Sequence, residues 1–427
     1  MISLIEHFQH YRRSLDEDTD SYLRSLPAGN FKRCFQDNEE KPCCSINIKE
    51  DVSGAKTYEI ETSYFIGVDR IRGLGRSIIV EPKINTVDSE VNVFAMLFEA
   101  LSDYENFKHL DGLYDINFDS EPIIVHQKND VLTPFLLIQF VQTLAALVKK
   151  GLKKSYYRTT QNLESKIKGK ILVKDQINKN VLKNNKTKTF CEFEVFGFDT
   201  AQNQFLKYVL KFVKVNLNKY PVELRAAISD VFNFIQPAFG NVSDCSFTKF
   251  STREKNPFYS EYNHLFEVGN LILKIQGFNT SNKVALKRKI PPHWIDMSML
   301  FELYVFKKLR DIFPLKNEAI YHRKFLGGKE TDIIITSDNF ECVVDCKYKP
   351  RYANLDPSLE DYRQLAGYCR MKSVYKILGK PFSEVIKGLI IYSDQNAALD
   401  IKKEDLFKSN AYEYVDFFKI GIKLPEK

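Results

Sequence analysis

The chain has 427 residues, 44% hydrophobic and 27% charged, with 33 Phe and 22 Tyr. That length predicts about two to four domains, each able to bury a core without disulfide staples, and the aromatic content excludes a largely disordered chain. The net charge of +7 is modest but uneven: residues 149–188 carry 12 Lys and Arg158 against only Glu164 and Asp175, a net +11. Such a block favours phosphate backbones or an acidic protein surface, with a solvated Lys-rich face as the plain alternative.

None of the eight cysteines falls in CxxC spacing, and the seven histidines form no HExxH pattern. Free thiols in a reducing compartment are the simplest reading. Residues 1–7 lack a basic start and an apolar run, so no signal peptide is expected. The most apolar stretch, residues 135–148, is too short to cross a bilayer and carries Gln139, Gln142 and Thr143. These features predict a soluble, cytoplasmic protein.

In chain order, residues 44–48, 58–62, 64–68 and 77–80 alternate as strands, and Gly73 and Gly75 suit a hairpin turn between the last two. No GxxxxGK[ST] phosphate loop occurs. Helices are expected over 87–115 and 131–154, the second from apolar Leu132, Phe135, Leu136, Phe140, Leu144 and Leu147 at three- and four-residue steps. The basic block follows. Residues 200–238 read as helix broken at Pro221, and 241–262 as irregular. Pro291-Pro292 reads as a boundary opening a compact C-terminal unit. The expected division is a β-rich domain (1–90), a mainly helical region with the basic segment (91–290) and a C-terminal domain (291–427), an α+β or α/β multidomain chain.

The chemistry concentrates in residues 331–347, Thr-Asp-Ile-Ile-Ile-Thr-Ser-Asp-Asn-Phe-Glu-Cys-Val-Val-Asp-Cys-Lys. This reads as two strands joined at Asp338-Asn339, both of which tolerate positive φ. That turn sets Asp332 opposite Asp345 on one face, and Lys347, two residues on, shares it. A charged edge strand is the bland alternative. However, Ile333, Ile334, Ile335, Cys342, Val343, Val344 and Cys346 are apolar on both faces, as in a buried strand. Opposed carboxylates there need a compensating cation; two carboxylate oxygens with waters suit Mg²⁺. Glu302 falls on an apolar helical face with Met299, Val305, Phe306 and Leu309, where a carboxylate is costly unless paired. Asp361, Gln364 and Tyr368 form one stripe of a second helix over about 358–373.

TD-x(12)-D-x-K, with Leu300-Phe301-Glu302 before it and Asp361-Tyr362-Arg363-Gln364-Leu365-Ala366-Gly367-Tyr368 after it, resembles the PD-(D/E)xK nuclease superfamily. More narrowly it resembles McrC, the nuclease subunit of McrBC-type restriction systems, whose motifs read roughly LFE, TD, DxKY and YQ-x(2)-Y. Lys347-Tyr348-Lys349-Pro350 fits the third, and Val80-Glu81-Pro82-Lys83-Ile84 is similar to a PKI stretch of that family. Thr331 stands where the superfamily name has Pro, and Asp345 where it offers Glu; both variants fit the McrC-like group. The resemblance implies a restriction-endonuclease-like C-terminal domain with a central mixed sheet. It implies Mg²⁺ (or Mn²⁺) held by Asp332, Asp345 and the Cys346 carbonyl, with Lys347 acting on the water. Glu302 is implied as auxiliary, and Gln364 and Tyr368 as DNA-facing or structural. The implied partners are double-stranded, possibly methylated DNA and an McrB-like AAA+ GTPase ring, contacted through the N-terminal region. Competing readings are a stand-alone repair or junction nuclease, and a non-catalytic DNA-binding activator of an AAA+ partner.

Overall fold

Alternating hydrophobicity in the first 81 residues produces two sheets. In this computed structural model the described residues are all except 8, 11–14, 85–89, 103–105, 107–108, 110–111, 127–129, 218–221, 248, 280–286, 316–317, 325–329, 354, 411–413 and 427. They group into two compact units, one of residues 1–135 and 278–427, the other of residues 136–277.

In the first unit, a four-stranded antiparallel sheet runs in the order Gln9–His10, Lys56–Thr62, Pro42–Glu50, Gly29–Cys34. Ile46, Ile48, Tyr58 and Ile60 alternate into its buried face, as the sequence spacing requires. A five-stranded sheet follows in the order Ile2–Ile5, Ile78–Glu81, Phe65–Asp69, His293–Asp296, Tyr114–Ile116. Gly73 and Gly75, both at positive φ, turn the chain between Phe65–Asp69 and Ile78–Glu81, which pair antiparallel. That is the hairpin expected of them.

The strand His293–Asp296 alters the expected division. It pairs with Phe65–Asp69 on one side and Tyr114–Ile116 on the other, in the middle of the N-terminal sheet. Pro291-Pro292 therefore opens no separate unit. Without N–H donors, the two prolines end the ladder of Lys287–Ile290 with Ile123–His126 before the next strand starts. The Tyr114–Ile116 pairing also replaces the end of the helix expected over 87–115; of its described residues, helix covers Val93–Ala100. The buried Trp294 seals this joint: its indole donates to Asp69 Oδ2 at 2.8 Å, and Asp69 also accepts from Arg33 Nε at 2.9 Å. Opposite Trp294, Gly67 sits at φ 155°, and a Cβ there would lie 2.0 Å from the His293 carbonyl oxygen.

Beyond the sheet the chain enters the Met297–Ile312 helix, capped by Asp296, whose carboxylate accepts from the Met299 amide at 3.0 Å. A second, mixed five-stranded sheet completes the unit, in the order Ala319–Lys324, Glu330–Ile335, Cys342–Lys347, Lys387–Ser393, Phe417–Ile422. The first three strands are antiparallel and the last three parallel. The Leu359–Cys369 helix packs Leu365 and Cys369 over Ile334, Val343 and Ile390 on one face.

The second unit holds the helices Ala201–Leu217 and Val222–Ile235 and most of Leu132–Lys150 and Glu261–Asn279. Pro221, the expected break, lies outside the described residues. The apolar stretch extends to a 19-residue helix, longer than residues 135–148 suggested and long and apolar enough to cross a bilayer, but it is largely buried against protein. Much of the basic block is strand: Ser155–Glu164 and Lys188–Gly197 form a long antiparallel pair joined by Lys170–Ile171, with short helical turns over Val173–Gln176 and Ile177–Val181 between them. Its alternating aromatic and β-branched residues favour strand over helix.

Gly67→Ala is expected to lower stability by about 2–4 kcal/mol, because both the φ angle and the carbonyl contact exclude a methyl. The single tryptophan, Trp294, reports on that joint directly. A urea midpoint by Trp fluorescence that is unchanged would contradict this packing.

Candidate active site

The register expected from the Asp338-Asn339 turn is the register found. Ile333, Ile334 and Ile335 pair with Val344, Val343 and Cys342. Only Asn339 uses positive φ, at 70°; the Phe340 amide closes the turn on the Ser337 carbonyl at 2.9 Å. The described ladder stops one pair short of Asp332 and Asp345. Beyond that point Asp332 Oδ2 accepts from the Cys346 amide at 2.8 Å. The side chain thus takes over a donor that the ladder has released.

Asp345 is fully buried at the end of the central strand. Lys347 Nζ lies 3.0 Å from its Oδ1 and 2.9 Å from its Oδ2, and donates to Gln364 Oε1 at 2.9 Å. Gln364 Nε2 in turn donates to the Tyr368 hydroxyl at 3.0 Å. The helical stripe anticipated from i, i+3 and i+7 spacing therefore meets the strand motif through Lys347. The helix is fixed by a serine N-cap: the Ser358 hydroxyl accepts from the Asp361 amide and donates to Asp361 Oδ2 at 2.9 Å. Asp361 also accepts from Lys349 Nζ at 2.8 Å and from the Tyr352 hydroxyl, and lies 3.7 Å from Lys347 Nζ.

The electrostatics follow from burial. Desolvation, and then the Asp332 carboxylate, push Asp345 up to about 7 against the pull of Lys347. Burial alone would depress the Lys347 ammonium, but Asp345, Asp332 and Asp361 outweigh it and hold the group above the usual lysine range. Burial raises the Cys346 thiol well above normal, and Asp332, Glu302 and Asp345 add to it. Glu302 thus belongs to the same acidic neighbourhood. It lines a cavity of about 650 Å³ together with Asp332, Gln364 and Tyr368.

Lys41, Asp296, Glu330 and Arg363 line the same cavity and were not singled out from the sequence. Asp296 had a readable signal, a carboxylate at the strand end just before a helix. Lys41 had none, because only the tertiary fold carries it to residues 302–368. Among the described residues, no three His, Cys, Asp or Glu side chains converge as a ready metal cage. The donor chemistry nonetheless suits a hard cation: Asp345 Oδ2 is buried without a hydrogen-bond partner, and its charge is met by the Lys347 ammonium.

A carboxylate whose pKa is raised on folding contributes stability that is present at low pH and lost as pH climbs through the raised value. Without divalent ions, the stability contribution of Asp345 should be fully present below the ordinary carboxylate range and disappear by about pH 7. Urea midpoints should fall over that window for the parent chain and fall less for Asp345→Asn. Equal slopes would contradict the assignment.

A family model described as "McrBC 5-methylcytosine restriction system component" matches residues 61–378. No curated protein matches the chain. Among solved structures, it is similar at 14% identity and a TM-score of 0.40 to a chain from a refined half-complex of a tetradecameric assembly of Thermococcus gammatolerans McrB AAA+ hexamers with bound McrC, covering 99% of this chain and 94% of that one. A chain of the cryo-EM structure of the Thermococcus gammatolerans McrBC complex matches at 14% identity and a TM-score of 0.30, covering 74% of this chain and 89% of the other. The family match spans well over half of the chain and takes in the Asp332, Asp345 and Lys347 motif, so this protein belongs to the McrBC 5-methylcytosine restriction system component family.

Proposed function

We propose that this McrBC-family chain is the nuclease subunit of a modification-dependent restriction system, a Mg²⁺-dependent DNA endonuclease whose C-terminal domain is of the PD-(D/E)xK type. The observation that carries this reading is the meeting of three groups at the end of two strands. Asp332 caps the Cys346 amide, Asp345 is buried, and Lys347 is held between Asp345 and Gln364. A scaffold has no physical need to bury such a charge set, since each ion costs several kcal/mol to desolvate.

Asp332, Asp345 and the Cys346 carbonyl are the groups that would hold the cation. When bound, a divalent ion supplies charge relief at the phosphate and lowers the pKa of a nucleophilic water. Lys347, beside Asp345, would orient that water or neutralise developing charge. Gln364 holds the Lys347 ammonium in place, Tyr368 holds Gln364, and Glu302 supplies a further carboxylate to the cavity.

The sequence carries no Walker A loop, so nucleotide-driven motion needs a separate subunit, an McrB-like AAA+ GTPase. The basic hairpin unit and the N-terminal sheets are the surfaces available to that partner and to DNA. The non-catalytic activator remains the second reading, because three carboxylates do not converge among the described residues.

The test is cleavage of methylated and unmethylated plasmid with Mg²⁺, the AAA+ partner and GTP. The parent chain should cut. Asp345→Asn and Lys347→Ala should lose about 100-fold or more of that activity with far-UV circular dichroism unchanged. Undiminished cleavage by either variant contradicts the site. A parent chain that never cuts but stimulates GTP hydrolysis supports the second reading. Cutting without the partner points instead to a stand-alone nuclease.

A further inference from the structure

The cavity that holds Asp332 and Gln364 has acidic walls, with Asp296, Glu302 and Glu330 beside them. Lys41 and Arg363 line it as well, and both are exposed. In such surroundings a purely structural cation should be drawn into an ion pair. Among the described residues neither Lys41 nor Arg363 makes one; Lys41 acts on Asp296 only as a more distant charge.

Both are also presented from backbones that are already fixed. The Lys41 carbonyl accepts from the Phe35 amide and the Lys41 amide donates to the Asn38 carbonyl, each at 2.9 Å. This loop is tied to the five-stranded sheet, since Asp115 accepts from the Gln36 amide at 2.9 Å and from Arg33 at 2.8 Å. Arg363 precedes Gln364 on the helix held by the Ser358 N-cap. Two unpaired cations on rigid supports beside an acidic, solvent-open cavity fit a ligand that brings its own negative charges to the rim while its reacting centre enters the acidic floor. A polyphosphodiester backbone has that pattern.

We propose that Lys41 and Arg363 are substrate-binding residues that grip backbone phosphates flanking the scissile one, so that the N-terminal sheet forms part of the DNA-binding surface of the site. This rests on the nuclease reading for the word scissile, but the phosphate grip itself does not need cleavage. A phosphate contact carries no base information, so these residues position the strand without selecting sequence.

The experiment measures double-stranded oligonucleotide binding by the full chain in the Asp345→Asn background across a salt series, alongside steady-state cleavage by the otherwise unaltered chain. Lys41→Ala and Arg363→Ala should each weaken binding about fivefold to tenfold and lower the salt slope by about one. KM should rise with kcat nearly unchanged, thermal midpoints should hold, and Lys41→Arg and Arg363→Lys should recover most of the loss. Binding and salt slope equal to those of the parent, including no binding by either, overturn the proposal. So does a fall in thermal midpoint that the conservative variants do not repair, which would make the two cations structural. If the parent chain does not cleave even with Mg²⁺, the AAA+ partner and GTP, yet the salt slopes fall as stated, the nuclease reading fails and the phosphate grip stands.

Discussion

The C-terminal half of the molecule depends on one buried ion pair. Asp345 has no solvent exposure, and among the described residues the cation against it is Lys347, two residues along the same strand. A lone carboxylate at that place would be too costly to keep ionised, and a lone ammonium would be expelled to solvent. Held together they tolerate burial, though the cost falls on one partner: burial raises the Asp345 carboxyl to about 7, whereas carboxylates on several sides hold the Lys347 ammonium charged. The rest of the site is arranged to satisfy what that pair leaves open. Gln364 Oε1 accepts a hydrogen bond from Lys347, Tyr368 orients Gln364, and the Ser358 N-cap fixes the helix that presents them.

The N-terminal sheets are part of the same framework. The strand bearing Trp294 runs straight into Asp296, which caps the helix bearing Glu302. Lys83 Nζ donates to the carbonyl of Tyr348, one residue beyond Lys347, at 2.6 Å and lies 3.9 Å from the centre of its ring. Glu6, also fully buried, is pushed up by burial despite Lys83 and the Tyr348 hydroxyl. A displacement of the N-terminal sheet therefore reaches the strand bearing Asp345 and Lys347 through covalent and hydrogen-bonded routes. That is the connection a subunit would need if a partner bound at one end were to govern chemistry at the other.

The site was more legible in the sequence than the domain architecture. The pairing of Ile333 to Ile335 with Cys342 to Val344 follows from a short turn and a period of two, both local. The stripe of Gln364 and Tyr368 follows from helical spacing, and the motif spacing made the family resemblance visible. What failed to show was non-local. Pro291-Pro292 looks like a domain boundary because prolines end ladders, yet the next four residues insert into a sheet built some 225 positions earlier, with Trp294 bonded to Asp69. Lys41 reaches the cavity for the same reason, through a tertiary path no local pattern records. The basic block suggested charge without shape; its strand hairpin rests on β propensity spread thinly over Lys-rich sequence.

The reading of the site turns on whether Asp332 and Asp345 bind a cation beside Lys347. Isothermal titration of Mg²⁺ or Mn²⁺ into the full chain tests it without relying on turnover. The parent chain should bind a single equivalent at this site, and Asp332→Ala and Asp345→Asn should each abolish it. Binding of the same stoichiometry and affinity by both carboxylate variants would contradict the account.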